Sequence, residues 1–239
     1  MSTPEADERG AVTRTKLSRA QRIVAERMVG SRTSVPEFAL TVTVAMDAAT
    51  AWLRDAKERA GGSPAPSVND LVIRASALAL RERPLGNGAY ADGQLASFER
   101  VNVGFAVAAP GALLVPTLFD ADALSIWETA ARTRALAQRA RARQLTPAEM
   151  TGATFTVSNL GMLGIEHFTA VINVPQAAIL SVGAVRAAAV VRDDALAIGR
   201  VMTVTLNCDH RVLYGADGAE LLAAIRRRLE APAELEGAG

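Results

Sequence analysis

Cysteine is almost absent: Cys208 is the single one among 239 residues. No internal disulfide can form, and a reducing compartment is expected. Aromatic residues make up only 4% of the chain, while half of it is hydrophobic and much of that is alanine, a composition that fits a compact, helix-rich α/β-type core. Charge of one sign is lacking too. Lys and Arg number 26 against 25 Asp and Glu, a net +1, which argues against nucleic acid or a membrane surface as the main partner. No apolar run approaches the ~20 residues of a membrane span and no signal-peptide pattern is present, so a cytoplasmic location is expected. No His, Cys or carboxylate spacing suggests a metal. The glycines, Gly161 and Gly164 among them, form no phosphate loop. The length suits one large domain or two small ones.

What is present reads as alternating strands and helices. Residues 1–15 are polar without periodicity and are expected as a loose tail, as are 233–239. Ser18 caps a helix predicted over 18–29, and 38–46 alternates apolar residues with threonine as a strand does. A helix through Trp52 and Leu53 stops at Gly61-Gly62-Ser63-Pro64, and 67–80 forms the next one, ended before Pro84. Residues 101–109 and 113–118 make a hairpin-like pair around Pro110-Gly111. Ser125-Ile126-Trp127-Glu128 is a capping box that opens an arginine-bearing helix through 132–143, whose charges read as a solvated face. Thr146-Pro147-Ala148-Glu149 starts a short helical turn. Strands near 153–158, 177–184, 186–192 and 200–208 lead into a final helix with Leu221, Leu222, Ile225 and Leu229 on one stripe. This order predicts an α+β fold, a mixed sheet layered with helices.

The densest signal is Asp209-His210-Arg211-Val212-Leu213-Tyr214-Gly215-Ala216-Asp217-Gly218. It places one of two histidines between a strand end and a helix start, where a rigid scaffold presents a group suited to proton transfer near neutrality. From spacing alone, a lone histidine there is more often structural. Cys208, on the same strand face by alternation, has no visible partner and reads as a small buried hydrophobe.

That decapeptide resembles the active-site signature of the dihydrolipoyl acyltransferase (E2) components of 2-oxoacid dehydrogenase complexes, related to the histidine motif of chloramphenicol acetyltransferase. Leu17-Ser18, residues 23–28, Pro36-Glu37-Phe38, residues 101–107, Leu114-Val115-Pro116, residues 145–150, residues 154–161 and residues 172–180 match the family in order. The resemblance implies an acyltransferase catalytic domain over 16–232 with the chloramphenicol acetyltransferase-like fold. It implies a homotrimer whose active site lies between subunits, so that an isolated monomer is inactive. It further implies coenzyme A, as acetyl-CoA, for co-substrate, with His210 as general base and Ser158 as the donor meeting the oxyanion. Asn159, His167 and Asn173 are candidates to line the substrate channel, although a surface or packing role is the default for His167.

Three departures from the family pattern shape the expected function. The carboxylate or asparagine four residues after the histidine is Tyr214 here. An ungapped match places Gln21 where the family carries an arginine that pairs with that carboxylate; Arg19 or Arg22 takes the role if the helix register differs. Losing both halves of a charge pair together can be nearly neutral, whereas losing one strands a charge, so Tyr214, Gln21, Asp209 and Arg211 read as a rebuilt support for His210 or for the acceptor side. The large apolar cluster with which the family docks trimers into large cores is replaced by small and acidic residues at the C-terminus, and no lipoyl domain or lipoyl group is expected on this chain. The resulting expectation is a free-standing, acetyl-CoA-dependent O-acetyltransferase acting on a small alcohol, by analogy a tetronate intermediate of polyketide biosynthesis. The alternatives are an E2 core moving acyl groups between lipoamide and CoA, and a catalytically silent scaffold.

Overall fold

A computed structural model of the chain describes residues 5–8 and 10–237. The first described segment is a small antiparallel ribbon, β1 (Glu5–Asp7) with β2 (Gly10–Val12). The expected loose tail over 1–15 therefore carries local pairing where it is described; residues 1–4 and 9 lie outside the described residues. The helix α1 (Arg19–Ser34) starts at the Ser18 cap and runs five residues beyond the predicted end. Thr33 and Ser34 hydroxyls donate to the carbonyls of Val29 and Gly30, holding the helical path until Pro36 forces Val35 into extended backbone.

Beyond it come β3 (Glu37–Ala45), α2 (Asp47–Arg59) and α3 (Val68–Glu82). Ser67 and Asp70 form a capping box at the start of α3. A ribbon of β4 (Gly88–Ala91) and β5 (Gln94–Ser97) follows. The predicted hairpin over 101–118 is in fact two pairings. β6 (Val103–Phe105) joins β9 (Thr117–Leu118) in the main sheet, while β7 (Val107–Ala109) and β8 (Ala112–Leu114) make a separate ribbon beyond them. The capping box at Ser125 opens α4 (Ile126–Arg141), whose arginines 132, 134, 139 and 141 are exposed and whose Ile126, Ala130, Leu136 and Ala140 are buried.

The last five elements are β10 (Phe155–Asn159), β11 (Ala178–Val182), β12 (Arg186–Arg192), β13 (Ala195–Asp209) and α5 (Gly215–Glu230). At 15 residues β13 starts five residues earlier than its predicted beginning. Asp193 and Asp194, with φ of 48° and 61°, supply the two left-handed positions of a tight hairpin turn that joins it to β12. The main sheet runs β12-β13-β11-β10-β6-β9, with β3 also on β13. β10 lies parallel to β11 and β6; β13 is antiparallel to β3, β11 and β12.

Alternation sorts the sheet into two faces. Phe38, Leu40, Leu206 and Cys208 turn toward α3 and α5, where Leu221, Leu222, Ile225 and Leu229 are buried as the stripe predicts. A Cβ on Gly218 would sit 2.9 Å from Leu40 Cδ1 and 3.1 Å from Cys208 Sγ, so a glycine there lets the first turn of α5 press against the strand ends. The C-terminal segment is docked, contrary to the loose tail expected over 233–239. Leu235 is fully buried, Glu236 accepts from Trp52 Nε1 and Arg59 at 2.8 Å each, and Arg74 donates to the Gly237 carbonyl. Residues 238–239 lie outside the described residues. Among the described residues no helix is long and apolar enough to cross a membrane.

Candidate active site

His210 follows the last residue of β13 directly. Its amide donates to the Pro36 carbonyl at 3.0 Å, which continues the β3–β13 pairing by one step and fixes the backbone from which the side chain projects. The residue is exposed. Its ring centroid lies 4.6 Å from that of Phe38 at an interplanar angle of 50°, and 5.8 Å from that of Tyr214 at 63°. Cys208, two residues earlier, is fully buried, and burial pushes its thiol up to about 12. No thiolate nucleophile forms there near neutrality. A disulfide-exchange reagent at pH 8 is expected to leave the native protein unlabelled and to titrate one thiol per chain after denaturation; stoichiometric labelling of the native form would contradict this.

Asp209 and Arg211 support the turn rather than the imidazole. The buried Asp209 carboxylate accepts from the Arg211 amide at 2.9 Å and from both Nε and Nη2 of its guanidinium at 2.7–3.2 Å. That pairing raises the guanidinium above its ordinary value. The Arg211 guanidinium also stacks 4.1 Å from the Tyr90 ring centroid. A cleft of about 320 Å³ opens beside it, lined by Ser34, Tyr90, Asp92, Val174, Pro175 and Arg211. Asn173 stands at this same end, its carbonyl accepting from Gln176 N.

Ser158 is elsewhere. It lies near the end of β10, paired with Ser181, which pairs with Thr205, which pairs with Thr41. This row occupies the sheet face opposite the helices. His210 stands five residues beyond Thr205, roughly 16 Å along the strand, and two strands, roughly 10 Å, across from Ser158. It also follows the parity of Cys208, on the helix side. Ser158 and His210 of one chain therefore do not meet. The Asn159 amide spans Gly161 N, 2.9 Å from its oxygen, and Asn69 Oδ1, 3.2 Å from its nitrogen, which fixes the turn after Ser158. His167 is exposed on the same end, next to the Glu166–Arg186 ion pair. Gln21 is committed to the start of α1, where its oxygen accepts from Ser18 N at 2.9 Å. Its difference from the family arginine thus has a local explanation in the capping box. Phe38 and Tyr90 belong to the site but carried no local signal, because their contacts with His210 and Arg211 depend on long-range pairing.

Residues 9–236 match the family model of the 2-oxoacid dehydrogenases acyltransferase (catalytic domain). The chain is 42% identical over 217 residues to the dihydrolipoyllysine-residue acetyltransferase component of the pyruvate dehydrogenase complex of Rhizobium meliloti, a match covering 89% of this chain and 48% of that protein. To the corresponding component of Zymomonas mobilis it is 39% identical, over 97% of this chain and 54% of that protein. The chain thus spans about half the length of these curated relatives. Its structure aligns with dihydrolipoamide acetyltransferase (E2p) of Azotobacter vinelandii at a TM-score of 0.91 and 30% identity, over 98% of this chain and 99% of that one. In the Azotobacter protein, roles in the catalytic mechanism have been investigated for a serine, a histidine 52 positions after it and an asparagine 4 positions further. Ser158, His210 and Tyr214 stand at the same spacings. Chloramphenicol acetyltransferase aligns at a TM-score of 0.53 and 16% identity, over 86% of this chain and 92% of that one, which shows the shared fold alone.

These matches overturn the expected free-standing O-acetyltransferase. High-coverage relatives are named dihydrolipoyllysine acetyltransferases, and the tetronate acceptor and polyketide role are withdrawn in favour of the E2 alternative. Gln21 is the capping-box partner of the Ser18 cap, and Tyr214 is a single substitution on an otherwise matching frame. By sequence over nearly its whole length and by fold, the chain belongs to the 2-oxoacid dehydrogenase acyltransferase (E2) family, as its catalytic domain.

Proposed function

We propose that this domain transfers an acetyl group between the thiol of coenzyme A and a dihydrolipoyl thiol. The observation that carries the reading is the exposed His210 imidazole on a fixed backbone, in a chain 42% identical to a named acetyltransferase of this kind. His210 takes the proton from the attacking thiol, and the thiolate adds to the thioester carbonyl. The tetrahedral oxyanion that forms needs a donor, and the Ser158 hydroxyl fills that role. Collapse expels the other thiolate, which receives the proton back from the imidazolium. The two thiols are chemically alike, so one base serves both directions.

The separation of Ser158 from His210 within one chain supports a shared site, His210 coming from one copy and Ser158 from its neighbour in a homotrimer. The test offers acetyl-CoA with dihydrolipoamide and, separately, with a hydroxymethyl-tetronate, with products read by mass spectrometry. S-acetyl-dihydrolipoamide is expected, and ester formed on the alcohol alone would sink the reading.

A further inference from the structure

An exposed imidazole that acts as a base faces a positioning problem. Two side-chain torsions must be held, yet one ring nitrogen must stay free for the substrate proton. A hydrogen bond or ion pair to the ring is the common solution, but among the described residues none reaches the His210 ring nitrogens, whereas two aromatic rings do flank it. Phe38 packs at 4.6 Å and Tyr214 at 5.8 Å between centroids. Tyr214 is anchored in turn by its amide, which donates to Asp217 Oδ2 at 2.9 Å, so its ring rides on the first turn of α5. In the single chain it is 64% exposed.

We propose that Tyr214 is a positioning residue whose ring, together with Phe38, holds the His210 imidazole by packing and leaves both nitrogens free. The Azotobacter relative has an asparagine at the same spacing after its histidine, so on this reading this chain orients its histidine through aromatic packing where that relative has a polar amide. The ring, not the hydroxyl, carries the effect. This inference rests on His210 as the base.

The test compares Tyr214→Phe, Tyr214→Ala and Tyr214→Asn in the full chain, in acetyl transfer from acetyl-CoA to dihydrolipoamide. Tyr214→Phe is expected to keep kcat within about twofold of the parent, and Ala and Asn to lower it about three- to tenfold, the scale of one lost aromatic pair. KM for both substrates is expected to stay unchanged. A Phe variant as impaired as Ala would overturn the proposal, as would full activity in the Asn variant or an effect confined to KM. Ring resonances of His210 provide a readout independent of turnover, since the chain has only two histidines and His167→Gln assigns them. Tyr214→Ala is expected to move the His210 ring-proton signal and Tyr214→Phe to leave it in place; an unmoved signal in the Ala variant overturns the clamp. If His210→Ala transfers acetyl as well as the parent, the functional reading fails, and the resonances alone decide the packing claim.

Discussion

His210→Ala is expected to lower kcat for acetyl transfer by roughly 10²–10⁴-fold, the contribution of a positioned general base. KM should change little, because the imidazole acts on a proton in flight rather than on the bulk of either substrate. Folding should be spared. The residue is exposed, and the hydrogen bond to Pro36 comes from its backbone amide, which alanine retains. Surface changes of this kind usually stay within about 0.5 kcal/mol. Steady-state kinetics beside a thermal melt check both halves of the statement. Near-parental turnover in a folded variant would remove His210 from the mechanism.

Ser158→Ala is expected to cost roughly 10²–10³-fold in kcat, the range for one lost oxyanion donor. The sheet register adds a sharper expectation. Ser158 and His210 lie on opposite faces and far apart along β10 and β13, so the proposed pair is expected to come from two copies. Each single variant is expected to keep at most about a hundredth of the parental activity, yet their deficits sit on different sides of each shared site. When both variants are co-expressed in equal amounts and mix at random in trimers, roughly a quarter of the sites receive an intact histidine and an intact serine. Activity should rise toward that fraction of the parent. Co-assembled trimers with no recovery would place both groups in one chain's site or remove Ser158 from the chemistry.

Much of the architecture was legible because it rests on local rules. The capping box at Ser125 and the short helical turn at Thr146 form as read, since both rest on residues three apart. The α5 stripe buries the leucines and isoleucine that its 3.6-residue period selects. Elements failed where the deciding contact is distant in sequence. α1 runs past 29 into a last turn where the buried Ser31 hydroxyl donates to the Ile172 carbonyl, 141 residues away. The 101–118 hairpin splits because β6 finds β10 as a second neighbour. The C-terminal segment docks because Trp52, Arg59 and Arg74 reach it.

The site divides along the same line. His210 and Ser158 were legible as candidates through the motifs around them, which a linear chain carries, whereas Asp209 and Arg211, expected to support the histidine, pair with each other and brace the turn instead. Tertiary structure alone decided that Phe38 packs against the imidazole and that Ser158 stands across the sheet from His210. Strand order and register are set by which apolar faces bury together; that choice belongs to the folded sheet as a whole, and no stretch of sequence contains it.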